Sequence, residues 1–391
     1  MYYKRQNVIK IAIFYHFFIL GCFSFGGPIA HIGYFRKRFV EKLRWLSDEE
    51  FSKIVALSHL LPGPSSSQVG FTIGLKKGGI FGAFLAFIAF TLPSFIFLYL
   101  IWYFGILEGE NNYIKSTIYA LKLFAVLIVI DAVLAMFNSF CKDYNTKAIF
   151  IFASISFIFF SSIFNQFIIL IICGVLGFLF IKKDEDNKNQ KLSLPNIYFL
   201  FIFLILLIIA FIFEFRNEYL KLFLDFYKSG SLVFGGGHTV LPLLQDNLQN
   251  QVSNETFLIS YSLAQTVPGP MFTIATYLGA DILKDNSFYG ALISTFGIFL
   301  GGFLLILAFY KSYENLSKNR FIAKIIMAIN ACVVALLFST LVKNIIPSEI
   351  FTIYDILLLF IGFILLRYIK VNIFYIIFGY ILFFLIKTIF V

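Results

Sequence analysis

Nine apolar runs, each long enough to cross a hydrocarbon core of about 30 Å, recur along this chain of 391 residues, at roughly 79–104, 114–139, 147–163, 165–181, 196–213, 287–310, 321–343, 352–366 and 371–390. A backbone inside lipid must satisfy its own hydrogen bonds, so uninterrupted runs of this length are helices. The chain is therefore read as an all-α polytopic membrane protein. Composition agrees, because 60% hydrophobic and 20% aromatic residues leave too little polar surface for a soluble domain. Four further apolar stretches are interrupted by glycine and proline, and they hold the functional information.

The formal charge of +10 would point to nucleic acid in a soluble protein. Here it sits in short loops, where lysine and arginine set membrane orientation, so no nucleic-acid partner is expected. Cys22, Cys141, Cys173 and Cys332 are scattered and form no CxxC or metal-ligand spacing. No metal and no cofactor are expected. The basic, apolar N-terminus has the general form of a signal peptide, but no small-residue cleavage site follows it. The hydrophilic segment "KKDEDNKNQKLSLP" at 182–195 has no aromatics and no apolar period, which reads as a cytoplasmic linker.

Compared with itself, the chain matches at a nearly constant offset. Gly21, Phe25, Gly26 and Gly27 fall on Gly230, Phe234, Gly235 and Gly236. Ser47, Glu49, Phe51, Pro62, Gly63 and Pro64 fall on Ser253, Glu255, Phe257, Pro268, Gly269 and Pro270, and Gly82 and Ala83 fall on Gly290 and Ala291. Two copies of one membrane unit follow, at 1–181 and 217–391, joined by the linker and one connecting helix over 182–216.

Loop charge orients the copies. If 8–44 and 51–77 are hairpins that enter and leave on one side, the basic 26–53 region, Lys76–Lys77, the 140–147 loop, the 182–195 linker, the 311–320 loop and the Arg367–Lys370 turn all fall in the cytoplasm, with the N-terminus. The acidic 105–113 loop and the 235–255 stretch, which has no lysine or arginine, fall outside. Thirteen full crossings are the alternative, and they put the lysines of 182–191 and 311–320 outside. Under either count the odd connecting helix inverts the second copy. Inverted repeats characterise alternating-access transporters.

The four breaks are Gly26-Gly27-Pro28, Pro62-Gly63-Pro64, Gly235-Gly236-Gly237 and Pro268-Gly269-Pro270. Non-helical backbone within lipid must be buried in protein or line a cavity. After each PGP turn the second proline suits the first position of a new helix, with starts expected at "SSSQVGF" (65–71) and "MFTIATY" (271–277). The other two starts are expected at Ile29 and at His238-Thr239. Helix N-termini present free N–H groups and about half a positive charge each. Four of them meeting at the repeat interface suit a small divalent oxyanion, whereas breaks that merely shape the bundle are the competing reading.

Side chains at these starts refine the site. Ser65, Ser66, Ser67 and Gln68 are donors in the first copy, where the second has Met271, Phe272, Thr273 and Ile274. His238 and Thr239 reverse that asymmetry at the other motif, and His238 is a candidate donor or proton carrier. His16, His31 and His59 have weaker claims. Within the spans, Lys122 aligns with Asn330, a cation and an amide donor for the substrate, the competing role of Lys122 being a snorkelling anchor. Asp131, near the opposite face of its helix, is a candidate for the coupling proton.

The segments "FGGPIAHIGYFRKRFV", "LPGPSSSQVGFTIG", "FGGGHTVLPLL" and "AQTVPGPMFTIATYLGA" resemble the motifs of the chromate ion transporter family in its long form, with two fused homologous domains. The resemblance runs from about Gly21 to Val334. It implies export of chromate across the bacterial inner membrane, with sulfate as a related ligand. On the family pattern the functional positions are Phe25 to Pro28, Pro62 to Pro64, Gly235 to His238 and Pro268 to Pro270. The expected partners are the anion and the lipid bilayer, a homodimer being one assembly left open. An intramembrane enzyme acting on lipid phosphate is the reading from another class. It lacks an HExxH motif, paired aspartates in a span or a nucleophile with its base, so no catalytic residues are assigned.

Overall fold

The computed structural model describes residues 2–25, 27–105, 111–160, 163–181, 194–213, 215–234, 240–312, 320–350 and 352–390. Among them the chain is helical throughout, with no strand. In chain order the principal helices are α1 (Tyr2–Phe23), α2 (Gly27–Phe35), α3 (Asp48–Leu60), α4 (Ser65–Tyr103), α5 (Asn112–Phe140), α6 (Tyr144–Phe159), α7 (Ile163–Phe180) and α8 (Ile197–Ile212). They continue as α9 (Glu218–Ser231), α10 (Val240–Leu248), α11 (Asn254–Thr266), α12 (Ile274–Ile282), α13 (Ser287–Phe309), α14 (Arg320–Thr340), α15 (Ile353–Arg367) and α16 (Ile373–Phe390). All nine apolar runs read from the sequence are helices within a few residues of the expected limits. The residues of the 182–195 linker up to 193 lie outside the described residues.

Helix starts coincide with polar residues able to cap them. Ser47 and Glu50 form a reciprocal capping box on α3, and Thr352 and Asp355 form another on α15. Asn111, Asn196 and Asn217 cap α5, α8 and α9 by accepting backbone N–H groups. Four helices among the described residues are long and apolar enough to span a bilayer, beginning at Ser65, Asn112, Lys284 and Lys324.

The helices flanking the breaks are shorter. α3 has 13 residues, about 20 Å of helix, and cannot cross a core of about 30 Å alone. α4 is 39 residues long but is interrupted at Gly78 and Gly79, which leave helical geometry, so its first part ends at Lys77. The second copy makes the same interruption outright, between α12 and α13.

Both N-terminal hairpins expected from the sequence are present. Residues equidistant from the first turn meet: Phe17 lies 4.7 Å from Phe39 and 5.7 Å from Phe35, and an Arg38 guanidinium N–H reaches His16 Nδ1 at 2.7 Å. Across the second turn Glu50 pairs with Lys76. α2 starts at Gly27, with Pro28 in its first turn, slightly ahead of the expected Ile29, and continues as a π-helical segment over Arg36–Lys42. Residues 235–239, the second copy's first motif, lie outside the described residues, and the helix after it begins at Val240.

The chain packs as two compact units, each drawn from both sequence copies. The first contains Met1–Leu100, Glu185–Val240 and Val267–Asn319. Its core stacks Phe71 of α4 on Phe303 of α13 at 4.2 Å, with Phe87 5.0 Å from Phe299. Between apolar helices in lipid such packing and buried hydrogen bonds, rather than exclusion of water, hold the elements together.

The second unit contains Ile101–Asp184, Leu241–Thr266 and Arg320–Val391. In it α14 packs on α5, α6 and α7, and α5 also contacts α11, α15 and α16. Polar staples cross these contacts: Ser262 donates to the Leu121 carbonyl at 2.5 Å and the Tyr119 hydroxyl to Asp355 at 2.8 Å. Asp131 pairs with Arg367 at 2.8 Å.

Candidate functional site

The two PGP turns lie in the first unit and are tied to the opposite sequence copy. Gly63 N–H donates to the Val233 carbonyl at 2.7 Å, and Gly269 N–H donates to the Ser24 carbonyl at 3.0 Å. Val233 and Ser24 hold corresponding places, just before the two glycine-rich motifs. Each turn therefore closes onto the other copy's break, a two-fold exchange.

Only glycine supports this arrangement. Gly63 and Gly269 have φ of 126° and 109°, a region closed to residues with a Cβ. A methyl group on Gly63 would lie 2.8 Å from Gly302 Cα, and one on Gly269 would lie 2.8 Å from Ser94 Oγ. Gly302 and Ser94 are again counterparts in the two copies.

After the first turn α4 begins with Ser65, Ser66, Ser67 and Gln68, all buried. A helix leaves its first N–H groups without intrahelical partners, so this buried start is electropositive and rich in donors. The hydroxyls of Ser65 and Ser67 have no hydrogen-bond partner among the described residues, and neither do those of Ser24 and Thr91. Buried polar groups are ordinarily satisfied, so this concentration is anomalous for a purely structural turn.

Two of the expected donors serve the turn itself. Gln68 Nε2 donates to the carbonyls of Pro62 at 2.9 Å and Gly302 at 3.1 Å, leaving its Oε1 unpartnered. Thr273 donates to the Pro270 carbonyl at 2.7 Å. The second copy's start also differs in geometry, since Met271–Thr273 is a 3-10 turn that precedes α12.

One neighbour was undervalued from sequence. His31 of α2 is 1% exposed, with Nδ1 3.3 Å from Ser66 Oγ and Nε2 3.2 Å from the Ser24 carbonyl. Its position four residues after Gly27 was the only available signal, and a lone histidine at one helical turn's spacing is ambiguous.

Gly26, Gly235, Gly236, Gly237, His238 and Thr239 lie outside the described residues. Gly27, Pro28, Gly63, Pro64, Gly269 and Pro270 belong to the first unit. Lys122, Asn330 and Asp131 belong to the second. There the aligned helices carrying Lys122 and Asn330, α5 and α14, pack together, and Asn330 Oδ1 is buried without a partner among the described residues. Among the described residues no cluster of histidine, cysteine or carboxylate side chains has the makings of a metal site.

A duplicated set of apolar helices, broken at buried glycine-proline turns, defines the class: a multi-pass membrane protein of the transporter type. The chain belongs to the chromate transporter family, whose model matches residues 11–178 and again 220–385. An uncharacterized transporter of Methanocaldococcus jannaschii is 28% identical over 352 residues, 87% of this chain and 85% of that protein. A chromate transport protein of Pseudomonas aeruginosa is 24% identical over 336 residues, 84% of this chain and 79% of that protein. A probable chromate transport protein of Synechococcus elongatus is 24% identical over 315 residues, 78% and 76% of the two chains. No solved structure matches.

Proposed function

We propose that this chain is a bacterial inner-membrane oxyanion transporter that exports chromate, binding the dianion near the bilayer midplane at helix starts that follow its glycine-proline breaks. The observation that carries this reading is the exchanged pair of bonds, Gly63 to Val233 and Gly269 to Ser24, beside the unpartnered hydroxyls of Ser65 and Ser67. Free N–H groups and hydroxyls without acceptors are what an oxyanion needs, since its oxygens only accept. The names of the relatives supply the candidate substrate.

On this reading the copies at 1–181 and 217–391 are inverted about the 182–216 connection, the N-terminus is cytoplasmic, and rocking of the copies alternates access. Lys122 and Asn330, at equivalent places in the copies, supply a cation and an amide donor within the second unit. Outward movement of a dianion down an inside-negative potential is favourable by about 4.6 kcal/mol per 100 mV, twice the single-charge value. Uptake of sulfate would need coupling to cations or protons.

Proteoliposomes separate the two substrates. Labelled chromate should cross faster than through empty vesicles, and inward and outward gradients under an imposed potential give the direction. Sulfate flux with no chromate flux would replace chromate export with sulfate carriage.

A further inference from the structure

We propose that Nδ1 of His31 is a proton-binding site linked to anion binding through the Ser66 hydroxyl, an inference that rests on the anion site proposed above. The hydrogen-bond pattern assigns the tautomer. A carbonyl only accepts, so Nε2, 3.2 Å from the Ser24 oxygen, carries the ring hydrogen. In the neutral ring Nδ1 is then an acceptor, and the hydroxyl 3.3 Å away must donate to it. The one proton of Ser66 is thereby turned onto the ring, while its neighbours Ser65 and Ser67 keep theirs.

A proton arriving from solvent at Nδ1 reverses that bond. Nδ1–H now donates to Ser66 Oγ, and the hydroxyl hydrogen is released to join those of Ser65 and Ser67. The imidazolium also brings a full positive charge next to the helix start. Both changes favour a dianion, and a bound dianion favours the proton by the same factor.

The surroundings leave this charge to be compensated by the anion. Its hydrogen-bond and ring partners are Ser66, the Ser24 carbonyl and the edge-on ring of Phe90, 5.4 Å away, none of which is ionisable. The Ser24 carbonyl also accepts from Gly269, so the proton site touches both turns. The second copy has Val240, Phe272 and Val233 at the places of His31, Ser66 and Ser24 and cannot repeat the device. This device therefore binds one proton per chain.

The test uses the full chain in lipid nanodiscs, with chromate as the probe and protein-free chromate as the correction for its own protonation. In lightly buffered solution the wild type should take up protons as chromate binds. Its affinity should fall as pH rises, by at most about tenfold per pH unit, the ceiling for one linked proton. His31→Asn and His31→Gln should bind chromate without proton uptake, and Ser66→Ala should lower the affinity at acid pH towards the alkaline value. Wild-type binding without uptake, uptake that survives in both His31 variants, or unchanged acid-pH affinity in Ser66→Ala would overturn the proposal. Failure of the wild type to bind chromate at all would instead overturn the anion site and this inference with it.

Discussion

The backbone N–H of Gly269 donates to the carbonyl of Ser24 at 3.0 Å, across a separation of more than two hundred residues. Gly63 and Val233 repeat the bond at 2.7 Å in the opposite sense. The two copies are thus interlocked at their non-helical points, where each would otherwise strand a backbone donor within the membrane. Each turn is thus held by a carbonyl of the other copy.

Gly63→Ala and Gly269→Ala should each stop transport. A Cβ at these φ values costs about 1–3 kcal/mol in backbone strain alone, and close contacts with Gly302 or Ser94 add to it. Membrane insertion, followed by fluorescence of a fused reporter, should survive. Wild-type chromate resistance in both variants would remove the turns from the mechanism.

Gln68→Met should destabilise the protein more than it alters anion contacts, because the amide holds the carbonyls of Pro62 and Gly302. Losing both bonds and leaving buried acceptors costs about 2–4 kcal/mol. Thermal unfolding in detergent should show a clear drop in midpoint. An unchanged midpoint with lost chromate binding would make Gln68 a ligand instead.

The exposed end of the second hairpin should loosen in acid. Glu50 is held below the usual carboxylate range by its hydrogen bond to Lys76 and by the Ser47 backbone N–H. A carboxyl with a depressed folded-state pKa contributes stability above its ordinary titration range, and that stability is lost as pH falls through the folded value. Amide protection in α3, after correction for the intrinsic pH dependence of exchange, should therefore fall on acidification, and in Glu50→Gln it should be low and constant across that range. Protection that does not change with acid in the wild type would show that the pair contributes nothing there.

Asp131→Asn should lower thermal stability without moving the pH profile of transport, because its carboxylate is paired with Arg367. Arg367→Gln should have a similar cost, and the double variant should cost less than the sum of the two. A pH profile that shifts with Asp131→Asn would identify this residue as a proton carrier.

Much of this architecture is legible in the residues. Uninterrupted apolar runs have no alternative to helix in lipid, and caps such as Ser47 and Asn111 mark their starts locally. The self-match of PGP with PGP announced duplication, and glycine at positions 63 and 269 announced turns that no other residue can make. Hairpin geometry followed from loop charge, and the contact between Phe17 and Phe39 bears it out.

Partner choice was not legible. Ser65, Ser66, Ser67 and Gln68 look equivalent as donors in sequence, yet Gln68 faces two carbonyls, Ser66 faces His31 and the hydroxyls of Ser65 and Ser67 are left over. Those assignments depend on residues such as Gly302, 234 positions away, and on a neighbouring helix turn that sets a histidine against a serine. The sequence by itself determined helices, breaks and repetition, because lipid and backbone sterics act locally. Only the tertiary structure decided which of these polar groups are left without a partner among the described residues, because a hydrogen bond is allotted by three-dimensional proximity.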